Sequence, residues 1–188
     1  MGIIRLYEIC PEAEKAGTQN AVVTGVTDNT AEVKQGSIFV CVKGARFDGH
    51  SAAAEMLSKG AVMIVTDHDI KCGKQLVTDN TRLCLARLLN SFYGKPSEKL
   101  GLLAVTGTNG KTTTAHFVKH ILTTLGKKCG CIGTAGHDTC SGQLKPSQHG
   151  TPTVPRATVL YSWLGEMVSN GADYCVMEAS SQALDQYR

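Results

Sequence analysis

Leu102–Thr114 reads LLAVTGTNGKTTT, and few folds accommodate it. An apolar run breaks into a glycine-rich turn and restarts at once as a helix-forming stretch. That order belongs to α/β sheets in which a strand feeds directly into a helix. Gly107 and Gly110 let the backbone wrap tightly, so that successive N–H groups point inward at an anion. The following helix adds its N-terminal donors and dipole. Lys111 supplies a cation for β/γ-phosphates, and the Thr112 hydroxyl stands where it can ligate Mg²⁺. The usual pattern G-x-x-x-x-G-K-[ST] wants glycine at 105, where Val105 stands, so the glycines here are three apart. A strand before and a helix after favour a nucleoside-triphosphate loop over a chance glycine turn.

A second segment fits the first. Tyr174-Cys175-Val176-Met177 is an apolar strand ending in Glu178. Ligands of open α/β sheets gather outside the carboxyl ends of the strands. An acid at such an end is placed to hold Mg²⁺ opposite Thr112. The competing reading makes Glu178 a cap for the next helix, a role Ser180 or Ser181 can also fill.

The rest of the chain alternates strand and helix patterns. Strands are expected at Ser37–Val42, Ala61–Thr66, Lys74–Val77, Leu102–Val105, Cys129–Ile132 and Tyr174–Met177. Helices are expected at Ser51–Lys59, Lys111–Leu125 and Arg156–Ser169. Another follows a cap at Asp79 or Asn80, with Leu85, Leu88, Leu89 and Phe92 on one face. The polar stretch from Gly136 to Pro155 reads as a loop. The turn-rich Gly94-Lys95-Pro96-Ser97 marks a seam, dividing the chain into residues 1–97 and 98–188. The fold class is α/β: a small N-terminal domain, then a second, mostly parallel unit that bears the loop.

Composition narrows the partners. A net charge of +3 on 188 residues is too small to imply nucleic acid, and no apolar run is long enough to enter a membrane. The eight cysteines are scattered, and Cys41, Cys84 and Cys175 sit in apolar runs, which suits reduced structural thiols of a cytoplasmic protein. His116 and His120 lie four apart without the glutamate of a metalloprotease helix. His50 reads as part of a turn and helix start, and Asp67-His68-Asp69 as a solvated turn.

These residues resemble the Mur ligases of bacterial cell-wall synthesis, nearly end to end. Val33-Lys34-Gln35-Gly36-Ser37-Ile38-Phe39-Val40, with Gly44 and Asp48-Gly49-His50, is similar to the family's uridine-nucleotide-binding domain. Thr106–Thr113 resembles its ATP loop, and Met177-Glu178-Ala179-Ser180-Ser181-Gln182-Ala183-Leu184 its M-E-V-S-S-H-A-L segment. Within the family, the branch that makes the UDP-N-acetylmuramoyl-tripeptide is the most similar. The resemblance implies ATP held by Gly107, Thr108, Asn109, Gly110, Lys111, Thr112 and Thr113, with Mg²⁺ on Thr112 and Glu178. Lys111, Thr112 and Glu178 would carry the catalysis. It also implies contacts to UDP-MurNAc-L-Ala-D-Glu from Thr30, Ala45, Arg46, Phe47, Thr153, Val154, Ser180, Gln186 and Arg188. The reaction implied is addition of a diamino acid, meso-diaminopimelate or L-lysine, through an acyl phosphate.

The chain departs from the family at three places. Asn29-Thr30-Ala31 replaces D-S-R, Thr153-Val154-Pro155 replaces T-T-P, and Gln182 replaces a histidine. Family members also continue with an amino-acid-selecting domain, so the chain is expected to be an inactive fragment of such a ligase. The alternatives are a MurF-like branch and, from another class, a non-catalytic nucleotide- or UDP-sugar-binding module. A folylpolyglutamate synthetase would lack the Val33–His50 segment, and a GTPase would want an N/T-K-x-D element.

Overall fold

Phe92 and Tyr93 mark the division of the chain into two units in a computed structural model. The structure describes residues 4–11, 20–44, 47–146, 153–185 and 187. The stretch Gly94–Ser97 lies in the second unit.

In the first unit, four parallel strands pair in sequence order: β3 (Gly25–Thr27), β4 (Ser37–Val40), β5 (Met63–Thr66) and β6 (Gln75–Val77). A short antiparallel pair, β1 (Ile4–Arg5) with β2 (Val22–Val23), flanks α1 (Leu6–Ile9). Every residue of β4 and β5 is buried, as expected of parallel strands covered on both faces. Alternation sends Phe39 and Ile64 to one face, where they join Val33, Ala53 and Met56. Met56 belongs to α2 (Ala53–Ser58), which continues a 3-10 turn at Gly49–Ala52. The helix α3 (Thr81–Phe92) lies along β3, β4 and β5 and buries Leu85, Leu88, Leu89 and Phe92. Its start is the expected one: Asn80 Oδ1 accepts the Leu83 N–H at 2.9 Å.

The second unit begins with α4 (Pro96–Lys99). Its sheet runs β7 (Gly101–Val105), β10 (Tyr174–Glu178), β8 (Cys129–Gly133), β9 (Gly136–Asp138). The first three are parallel and β9 is antiparallel to β8. One face, with Cys129, Cys131 and Val176, is covered by α5 (Lys111–Thr124) through Ala115, Val118 and Leu122. The other face, with Ile132 and Cys175, is covered by α6 (Ala157–Ser169) through Leu160, Leu164 and Met167. The α7 helix (Ser181–Asp185) follows β10.

The structure corrects the reading of 136–155 as loop throughout. Gly136–Asp138 pairs with Cys131–Gly133, and His137 bridges Lys145. Those residues, Gly-His-Asp, carry no apolar alternation, because the backbone ladder alone makes the strand. The other expected elements are present, with ends moved by a few residues.

None of the eight cysteines forms a disulfide, and five are buried. Burial pushes the Cys129 thiol up to about 11 and that of Cys41 up to about 12. They pack as small hydrophobes, not as nucleophiles. Among the described residues no helix is long and apolar enough to cross a membrane. Several apolar side chains of this unit are exposed, among them Leu102 and Leu103 on β7, Phe117 and Ile121 on α5, and Leu125 just after it.

Candidate nucleotide site

Gly107–Thr113, Glu178 and Ser180 lie at or just past the carboxyl ends of parallel strands in one sheet. Strand β7 ends at Val105, and its register partner on β10 is Glu178. The Ala179 N–H donates to the Val105 carbonyl at 2.8 Å, holding the two strand ends together. Past Val105 the chain turns through Thr106–Gly110 and enters α5 at Lys111. Gly107 has φ +143° and Gly110 φ +80°. A Cβ at Gly110 would meet nothing within 4 Å, so glycine is required there by conformation and not by crowding. The loop residues are exposed. The Lys111 Nζ donates to the carbonyls of Gly107 at 2.6 Å and Thr108 at 3.2 Å. An ammonium group is thereby held over the mouth of the loop, where phosphate oxygens can replace the carbonyls as acceptors.

Glu178 is only 2% exposed. Its Oε1 accepts from the Thr134 backbone N–H at 2.9 Å and its Oε2 from the Thr134 hydroxyl at 3.0 Å. The same hydroxyl contacts Thr153 Oγ1 at 3.2 Å. Gly133 is part of this arrangement, since a Cβ there would lie 2.2 Å from Glu178 Oε1. Glu178 is not the cap of the next helix. Ser180 takes that role, its Oγ accepting the Ala183 N–H at 3.2 Å, which leaves its own O–H to donate elsewhere.

Thr134 went unnoticed in the sequence. Its only signal is position, immediately after β8 on the sheet edge where ligands gather. Thr112 and Thr113 lie in the first turn of α5, next to Lys111. Thr153 joins the Glu178–Thr134 chain, whereas the Val154 side chain is buried against Leu160 and Leu164. Gln186 and Arg188 lie outside the described residues, as do Ala45 and Arg46.

In the first unit, Thr30 sits in the turn after β3. That turn is tied by Asn29 and Thr27, whose side chains donate to the Glu32 carboxylate at 2.9 and 2.7 Å. Asn29 thus has a structural role in this turn. Phe47 is exposed, and its carbonyl accepts the Gly44 N–H at 2.9 Å after β4. The turn that holds His50 and the solvated turn Asp67-His68-Asp69 meet: His50 Nε2 lies 3.2 Å from Asp67 Oδ1.

Residues 22–104 match the family described as "Mur ligase family, catalytic domain", and residues 105–188 the "Mur ligase middle domain". The chain belongs to the Mur ligase family. Over 176 residues, 92% of the chain, it is 38% identical to UDP-N-acetylmuramoyl-L-alanyl-D-glutamate--2,6-diaminopimelate ligase 2 of Clostridium acetobutylicum, covering 36% of that protein. It is 39% identical over 167 residues, 88% of the chain, to the corresponding ligase of Aquifex aeolicus, covering 34% of it. A solved 2,6-diaminopimelate ligase superposes with a TM-score of 0.81 at 24% identity, over 99% of this chain and 38% of that one. The MurF ligase from Thermotoga maritima, solved in complex with ADP, gives 0.54 at 25% identity over 83% and 32%. This Mur ligase chain therefore spans about a third of the length of the relatives it matches.

Proposed function

We propose that this chain carries the uridine-nucleotide-binding and ATP-binding parts of a ligase that joins a diamino acid, meso-diaminopimelate or L-lysine, to UDP-MurNAc-L-Ala-D-Glu. The observation that carries the reading is the register Val105–Glu178. It sets a buried carboxylate beside a glycine loop whose lysine already lies over its mouth. The donor set suits a nucleoside triphosphate with Mg²⁺: exposed loop residues, one ammonium, the Thr112 hydroxyl, and a carboxylate oriented by Thr134. Thr112 and Glu178 would hold the ion, and Mg²⁺ when bound supplies charge neutralisation at the phosphate oxygens.

The work assigned to the residues follows. Lys111 exchanges its two carbonyl acceptors for phosphate oxygens and stabilises charge as the γ-phosphoryl group moves to the D-Glu carboxylate. The acyl phosphate formed on the dipeptide is then attacked by the amine of the incoming amino acid, releasing phosphate. To the UDP-sugar the first unit would offer the Thr30 turn and Phe47, with Ala45 and Arg46 from the family pattern. The second unit offers Thr153 and Ser180, with Val154, Gln186 and Arg188 from the family pattern. Ligation itself is proposed for the whole protein, of which the matched relatives have about three times this length.

Calorimetric titration of the 188-residue chain with ATP–Mg²⁺ and with UDP-MurNAc-L-Ala-D-Glu tests the reading. Both are expected to bind, and Lys111→Ala is expected to lose the first while keeping the second. Binding of neither, or full ATP affinity in the alanine variant, refutes it. In the full-length protein, the same substitution is expected to abolish ligation.

A further inference from the structure

The first unit contains a group of side chains that the nucleotide reading does not use. His50 stands in the 3-10 turn after β4, and Asp67 and His68 follow β5, the neighbouring parallel strand. One donor atom from each of the three lies within 4.8 Å of the others. The His50 and His68 rings stack with centroids 4.9 Å apart.

The state of His50 is the decisive detail. Its Nδ1 lies 2.6 Å from Asp48 Oδ1, which also accepts the His50 backbone N–H at 3.1 Å. Since a carboxylate only accepts, Nδ1 carries the proton, and in the neutral ring Nε2 presents a lone pair. The side chain is 10% exposed, and Nε2 is buried without a hydrogen-bond partner. The atom it faces is Asp67 Oδ1 at 3.2 Å, near enough for an ion pair but outside hydrogen-bond geometry. A buried lone pair aimed at a carboxylate oxygen is unfavourable unless a positive charge lies between or on them.

The geometry points to a transition-metal site of the Zn²⁺ class, ligated by His50 Nε2, Asp67 and His68. Tetrahedral Zn²⁺ with bonds of roughly 2.0–2.2 Å sets its donor atoms about 3.3 Å apart. The His50–Asp67 separation meets that without movement. His68 Nδ1 lies 2.5 Å from the same Asp67 oxygen, so it must open by a little under about 1 Å to reach that spacing. Its side chain is 63% exposed and has room to do so. Asp48 completes the carboxylate–histidine–metal arrangement, fixing the tautomer and ring orientation of His50. Two imidazoles and one carboxylate suit Zn²⁺, Co²⁺ or Ni²⁺ and not Mg²⁺, which prefers oxygen alone. Three protein ligands leave a coordination position for water or another ligand. An occupied site would clamp the turn after β4 to the end of β5.

The test titrates the untagged 188-residue chain, freed of metal, with Co²⁺. A four-coordinate visible spectrum without a thiolate-to-cobalt charge-transfer band is expected. Zn²⁺ should displace the signal and excess Mg²⁺ should not. His68 is exposed, so His68→Ala should fold normally and lose the spectrum. Asp48→Asn should weaken Co²⁺ binding about 10–100-fold. A thiolate band would assign the metal to cysteines and overturn the site. So would an unchanged affinity in His68→Ala, displacement by Mg²⁺, or no binding at all.

Discussion

Replacing Thr134 by Val removes one hydroxyl from the nucleotide site and little else. The two side chains have nearly the same volume, so no cavity term enters. The loss is the 3.0 Å bond to Glu178 Oε2 and the weaker contact to Thr153. A hydrogen bond to a charged group contributes about 1.5–3 kcal/mol. Glu178 is buried but Thr134 is exposed, so water can partly replace the hydroxyl, and the low end applies: about 1.5 kcal/mol. Gly133→Ala should cost more. Its Cβ would sit 2.2 Å from Oε1 and displace the whole carboxylate. Both Thr134 bonds are then lost, about 3 kcal/mol in total. Urea unfolding followed by fluorescence of Trp163, the single tryptophan, reads both variants. That residue packs on the core of the second unit, so the transition reports the unit that contains the site. Thr134→Ser, which keeps the hydroxyl, should recover most of the loss. If Thr134→Val stays within about 0.5 kcal/mol of the parent, the level of ordinary surface substitutions, or if Gly133→Ala is no worse than Thr134→Val, then Thr134 does not hold Glu178.

Further outcomes are expected elsewhere in the second unit. Gly110→Ala places a side chain in the left-handed region and should cost about 1–2 kcal/mol by urea titration, without any steric collision to relieve. His137 stacks on Trp163 with centroids 3.6 Å apart, and burial followed by Lys145 holds its ring below the usual histidine value of 6.5. Folding therefore favours the neutral ring. Its contribution to stability is complete above pH 6.5 and declines as pH falls from there through the lowered folded value. Trp163 fluorescence should titrate below pH 6.5, and His137→Phe should remove that titration. Phe117→Ser with Ile121→Ser replaces exposed apolar surface. Light scattering should then show less self-association, with the urea midpoint almost unchanged.

Much of this was legible in the sequence, for reasons that differ between elements. The strands around Phe39 and Ile64 are continuous apolar runs because both faces are covered, and α3 shows its buried stripe and its Asn80 cap openly. The glycine loop was legible because glycines at positive φ and a lysine at a helix start leave a plain mark in the sequence. Glu178 was visible only as an acid ending a strand, and excluding the cap role needed the Ser180 bond to Ala183. Strand β9 was invisible, since Gly-His-Asp pairs through its backbone alone. Thr134 and the His50–Asp67–His68 group were hidden for a shared reason. Each joins residues from different strand ends, and sequence separation says nothing of which ends are neighbours until the register is known.

That reason also explains where the chemistry lies. In a parallel sheet all strands end on one edge, so the turns after them are brought side by side whatever their distance in sequence. The first unit gathers Thr30, Asp48, His50 and Asp67 on that edge, and the second gathers Gly107–Lys111, Thr134 and Glu178. The two edges are nevertheless built to different ends. In the second unit the acid is buried, both its oxygens accept from Thr134, and the cation is Lys111, at the start of α5 beside an exposed loop. Such an arrangement holds its anion in place and lets the lysine exchange partners, as the proposed phosphoryl transfer would require. In the first unit the buried group is a histidine locked by Asp48, while the acid and the second histidine are the exposed members. A buried nitrogen donor with exposed partners suits the capture of a cation. One parallel architecture thus yields two opposite polarities, according to whether the side chain locked at the strand end is a carboxylate or an imidazole.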